Sequence, residues 1–151
     1  MRQNYRVMVD LDQTILPFLE AMAERPGGER LRHEQMEAYG DLFGLIEGGL
    51  HRMHRMFDEV MDLDVMLRHP PIPGAALSLR ALRAHGCELY VKADRPERFT
   101  ESTRRYLELY AAVPFDSLVC APGLDKLVEC QDAGIGIAVP DHPAPARQSH
   151  A

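Results

Sequence analysis

The spacing of apolar and polar positions changes several times along this chain, and each change marks an element. YRVMVD (5–10) is a nearly continuous apolar run, as expected of a short strand buried on both faces. Residues 15–69 change character: Met, His, Arg and Glu dominate with helical periodicity, and ERPGGER (24–30) breaks the region into pieces. In LHRMHRMFDEVMD, Leu50, Met53, Phe57 and Val60 form one apolar stripe at helical spacing, with His51, Arg55, Asp58 and Asp62 mostly opposite. HPPIPGA (69–75) is a stiff turn, with Pro73 placed near the first turn of the next helix.

The remainder alternates. AALSLRALRAHG reads as an amphipathic helix stopped by Gly86, and CELYVK (87–92) as a second strand. A helix is predicted over 96–112, a strand in FDSLVCA, a helix in GLDKLVECQDAG and a fourth strand at 135–139. Strands alternating with helices predict an α/β fold, a three-layer parallel sheet with a Rossmann-like core. The insert of about 55 residues after the first strand is too long and too helical for a loop. It is read as a small helical cap at 17–69, on a core made of 1–16 and 70–151.

Composition narrows the classes. The 151 residues suffice for one domain with a real core, and 46% apolar with 26% charged residues is ordinary for a globular protein. A net charge of −6 offers no basic surface for nucleic acid. No apolar run approaches a membrane span, and MRQNYRVMVD lacks the apolar region of a signal peptide. Cys87, Cys120 and Cys130 are far apart and read as reduced core residues, so a cytoplasmic location without a membrane is expected.

The first strand ends in VMVDLDQT, with Asp10 and Asp12 two positions apart. In a parallel sheet, ligands bind beyond the carboxyl ends of strands. Residues i and i+2 point the same way while the chain is extended. Two carboxylates held close call for a proton or cation beside them, and Mg²⁺ suits oxygen ligands and phosphate. One carboxylate can then attack phosphorus while the other passes a proton to the leaving group. The plainer reading of a lone DxD is a solvated strand end.

VMVDLDQT resembles the first motif, hhhDxDxT/V, of the haloacid dehalogenase (HAD) superfamily. LRHPPIPGAALSLRALRAHGCELYVKADRP and DKLVECQDAGIGIAVPDHP resemble the later segments of its 5′(3′)-deoxyribonucleotidase-like branch, so the likeness covers 5 to about 143. It implies a phosphohydrolase for a small phosphomonoester, such as a nucleotide. Asp10 would be the nucleophile, Asp12 the general acid/base, and Lys126 the cation on the phosphoryl oxygens. Mg²⁺ would be held by Asp10, Asp12 (through its backbone carbonyl) and Asp141. Thr14, Lys92, Ala93 and Arg95 would line the substrate, a small anion. Lys126 also reads as a helix-surface lysine, Asp141 as a turn residue, and Arg95 as an exposed helix-entry residue.

Three departures stand out. The branch places Ser or Thr where this chain has Ala93, and losing such a donor can cost roughly 3 kcal/mol in the barrier. Its paired acids before His-Pro are reduced to Pro140-Asp141, and the sequence runs only about ten residues beyond Asp141. An exposed sheet edge is therefore expected to recruit another chain, giving a homo- or hetero-oligomer. Two alternatives follow: a site repurposed for departure of phosphate or sulfate without hydrolysis, as in an intramolecular ring closure, and a non-catalytic subunit completing a partner. Specificity is assigned to the cap. His51 and His54, at i and i+3, are a candidate metal pair with a solvated pair as the plainer reading, and Phe18 and Tyr39 are candidates for stacking on a base.

Overall fold

A computed structural model of the chain describes residues 5–31, 42–111, 115–122 and 137–139. Among the described residues, β1 (Arg6–Asp10) is followed by four helices: α1 (Phe18–Ala23), α2 (Leu42–Leu45), α3 (Gly49–Val60) and α4 (Leu63–Met66). Then come α5 (Ala75–Ala84), β2 (Glu88–Ala93), α6 (Thr100–Tyr106), β3 (Ser117–Cys120) and β4 (Ile137–Val139). The four strands form one parallel sheet in the order β3-β2-β1-β4. The predicted α/β architecture is the one observed. The helix expected in 123–134 falls outside the described residues.

Alternation along the strands sorts the two faces of the sheet. Val7, Val9, Leu89, Val91, Ala93 and Cys120 share one face and are all buried in a single apolar cluster. α5 packs on β2 and α6 on β3, contributing Leu79 and Tyr106 to the same cluster. The other face carries Asp10 and Lys92, paired in register and both buried.

α5 ends as its sequence predicts. Gly86 takes a left-handed conformation (φ 86°), its N–H donates to Arg83 O and the N–H of Cys87 donates to Leu82 O. That is the paired-bond stop that glycine makes possible after a helix. Pro73 lies just before the helix rather than in its first turn, because Gly74 occupies the N-cap. The helix predicted over 96–112 is a composite: a 3₁₀ turn at Glu97–Phe99, α6, then a π-helical turn at Leu107–Ala111. Pro96, extended at ψ 141°, forces the tight start.

The apolar cluster runs from the sheet into residues 17–69 without a break, taking in Phe18, Met22, Met56, Val60, Met61 and Met66. Met53 packs against this cluster, partly buried. The stripe on α3 is rotated from the one expected: Met56 and Val60 are fully buried, whereas Leu50, in the first turn, is 51% exposed. Phe18 is committed to this packing, its ring 5.6 Å from that of Phe57. Tyr39 lies outside the described residues. Cys87 and Cys120 are buried free thiols. No helix among the described residues is long and apolar enough to cross a membrane.

Candidate active site

β1 is an inner strand, and the chain passes from it to β2 and β3 on one side but to β4 on the other. Such a reversal opens a crevice at the carboxyl ends of the strands, where α/β proteins bind ligands. Asp10 is the last residue of β1 and is 6% exposed. Its Oδ1 accepts the N–H of Leu11 at 2.9 Å. Lys92 is its register partner on β2, so the two side chains leave the same face from backbones about 4.8 Å apart. Ala93 alternates to the apolar face, fully buried, and its carbonyl accepts from Ala121 N. Lys92, not the residue at the expected hydroxyl position, is thus the neighbour of Asp10.

Past Asp10 the chain leaves the sheet in one helical turn. The carbonyl of Leu11 accepts N–H groups from Thr14, Ile15 and Leu16. Gln13 sits at φ 61°, the one left-handed non-glycine among the described residues, and its N–H donates to Leu16 O. Its side chain is also employed: Oε1 accepts the N–H of Leu19 at 2.9 Å, satisfying a first-turn donor of α1 that Pro17 cannot cap. The Thr14 hydroxyl is buried and has no hydrogen-bond partner among the described residues.

This turn carries Asp12 out of the extended spacing that would have stacked it on Asp10. It meets Arg95 instead. Arg95 is fully buried, against its plainer reading as an exposed helix-entry residue. Its Nε donates to Asp12 Oδ2 at 3.1 Å and its Nη2 to Asp12 Oδ1 at 2.6 Å. Its Nη1 donates to Thr103 Oγ1 at 3.0 Å and lies 3.2 Å from Met66 Sδ. The anion that Arg95 reaches is therefore the side chain of Asp12. Sequence reasoning missed Thr103 and Met66 as its partners. The available signal was positional: Arg95 lies two residues past the end of β2, as Asp12 lies two past the end of β1.

Lys126 and Asp141 lie outside the described residues. Among the described residues no three His, Cys, Asp or Glu side chains gather as a metal-holding group. His51 and His54 are both exposed on α3. A cleft of about 510 Å³ opens beside Gln13, walled by Pro17, Glu20, His69 and Ile72 with the neighbouring prolines. His69 in that wall lies 3.6 Å from Glu24.

No family model and no curated protein matches this sequence. Solved structures do match in shape. A hydrolase from Streptococcus pneumoniae TIGR4 superposes with a TM-score of 0.54 at 14% identity, covering 95% of this chain and 85% of that one. A class C acid phosphatase from Bacillus anthracis gives a TM-score of 0.54 at 14% identity over 89% of this chain and 48% of its own. A haloacid dehalogenase-like hydrolase from Bacteroides fragilis gives 0.54 at 11% identity over 88% and 74%. At such identities the likeness speaks to architecture, and in architecture the chain has the fold of the HAD-like hydrolases.

Proposed function

We propose that this chain is a HAD-like phosphohydrolase of small phosphorylated molecules, acting through a phosphoryl group carried transiently on Asp10. The observation that supports it most is the placement of Asp10: a buried carboxylate at the end of the inner parallel strand β1, at the topological switch point, with Lys92 beside it in register. A carboxylate there can attack phosphorus in line, and a neighbouring ammonium offsets the charge of the phosphoryl oxygens. Thr14 contributes a buried hydroxyl with hydrogen-bonding capacity to spare among the described residues.

The donor chemistry fits Mg²⁺ through main-chain and side-chain oxygens. Asp10 would supply a carboxylate oxygen, Asp12 its backbone carbonyl and Asp141 a second carboxylate, while the Asp12 side chain is taken by Arg95. Bound there, the ion would neutralise charge on the transferring phosphoryl group. A second reading, departure of phosphate or sulfate without hydrolysis, draws support from Ala93, whose methyl group faces the apolar cluster and donates nothing.

The test is phosphate release from aryl phosphates, alkyl phosphates, nucleotides and acetyl phosphate, with and without Mg²⁺. Release that needs Mg²⁺ and falls to background in Asp10→Asn is expected. Silence of the folded wild-type chain on every compound would overturn the phosphohydrolase reading in favour of the second reading or of a non-catalytic subunit.

A further inference from the structure

We propose that the described part of the insert, 17–31 and 42–69, is a fixed wall of the crevice at the end of the sheet and not a lid over it. The proposal goes beyond the phosphohydrolase reading and stands without it. A lid turns about the linkers that join it to the core, and everything else it touches must let go. Here the two linkers lie together: the N–H of Ile72 donates to Ile15 O at 2.8 Å. They would define one hinge, and a third attachment away from that hinge would stop the rotation.

The third attachment runs along one segment of the core. Arg98, Ser102 and Tyr106 recur every four residues and share one side of the 3₁₀ turn and α6, with Arg95 just before them. Each reaches the insert or its exit. Arg98 Nη2 donates to Asp58 Oδ1 at 3.0 Å and Ser102 Oγ to Met61 O at 3.0 Å. Arg95 Nη1 lies 3.2 Å from Met66 Sδ, and the Tyr106 hydroxyl donates to His69 O at 3.0 Å. α6 packs on α4 on one side and on β3 on the other, so it cannot follow the insert without uncovering the sheet.

These ties are unequal. Arg98 and Asp58 each keep more than half of the side chain in water, and their pair contributes little. The seam beneath is closed: Arg95, Met66 and Tyr106 have no exposed surface, and Met61 is buried. Water can take over a broken hydrogen bond, but it offers nothing in place of apolar contact. Lifting the insert would wet Met61, Met66 and the ring of Tyr106, and would part the apolar cluster that runs from the sheet into Val60. Segments that move are drawn from the least buried parts of a fold, and this seam is among the most buried. Whatever reaches Asp10 therefore enters with the insert in place, and the crevice selects by a standing shape.

Methionine oxidation tests this on the unaltered chain, because a thioether reacts when it meets peroxide. Met66 lies in the seam and Met8 in β1, both buried. In native buffer with dilute hydrogen peroxide, peptide mass spectrometry is expected to show Met66 oxidising within about tenfold of Met8, and at least about 100-fold more slowly than free methionine in the same tube. Met66 above that limit, or more than about tenfold ahead of Met8, would show the seam opening by itself and overturn the proposal. Either result reads the same whether or not the chain releases phosphate from any compound.

Discussion

Arg52 and Arg95 make the same kind of contact in different surroundings. On α3, Arg52 Nη1 donates to Glu59 Oε1 at 2.8 Å, Arg25 Nε takes the other carboxylate oxygen at 2.9 Å, and Arg52 also reaches the carbonyl of Pro26. There the Arg52 and Glu59 side chains keep 15% and 31% of their surface in water. At the end of the sheet, Arg95 keeps none. Where water can replace either partner, the clamp is a modest staple for the insert. Where the cation keeps no contact with water, losing its partner would leave a wholly buried charge, and the same geometry is worth more to the fold.

The sharpest way to break the comparison is to remove the buried cation. Arg95→Met is expected to cost about 3–5 kcal/mol, because Asp12 is left a partly buried carboxylate without its counter-charge. Urea denaturation measures it, and a loss under about 1 kcal/mol would place the inner clamp in the class of the outer one. Thr103→Val probes the back of the same guanidinium. It deprives Arg95 Nη1 of its oxygen acceptor at nearly constant volume, leaving the weaker Met66 sulfur, and about 1–3 kcal/mol is expected by the same measurement.

The smallest effect belongs to the outer clamp. Glu59→Gln is expected to cost about 1 kcal/mol or less at pH 7. Its pH dependence distinguishes it. The hydrogen bond from Arg52 holds the Glu59 carboxyl below its ordinary value of 4.5, with burial opposing and Arg25 assisting. A carboxyl lowered in the folded state contributes stability above its unfolded pKa and loses it as pH falls through the folded value. The gap between wild type and Glu59→Gln should therefore be full at neutral pH and close under acid conditions, read from denaturation curves on either side of 4.5.

Local pattern carried the sequence reading a long way. The continuous apolar run before Asp10, the alternation of strands with helices and the glycine stop at Gly86 are each written within a few neighbouring residues, and each is realised. What the pattern could not express is who sits beside whom across the fold. A lone arginine between a strand and a proline reads as exposed because its partner lies 83 positions away. Ala93 and Lys92 exchange significance for a related reason: counting from a motif finds a slot, whereas strand register decides which side chain stands next to Asp10. The rotation of the α3 stripe from Leu50 toward Met56 depends on which neighbours the helix meets, something periodicity alone leaves open.

The register of β1 also sets a timetable. Its first partner strand begins 82 residues later, at Glu88, and its other partner comes only at Ile137. At synthesis rates of about 5–20 residues per second, the strand that ends in Asp10 waits roughly 4–16 s for any neighbour in the sheet. During that interval an apolar segment with open hydrogen-bonding edges is sticky, and pairing over so long a stretch of chain closes slowly. The inner position that puts Asp10 at the carboxyl edge of the sheet is thus also what leaves β1 without a sheet partner for so long while the chain is made.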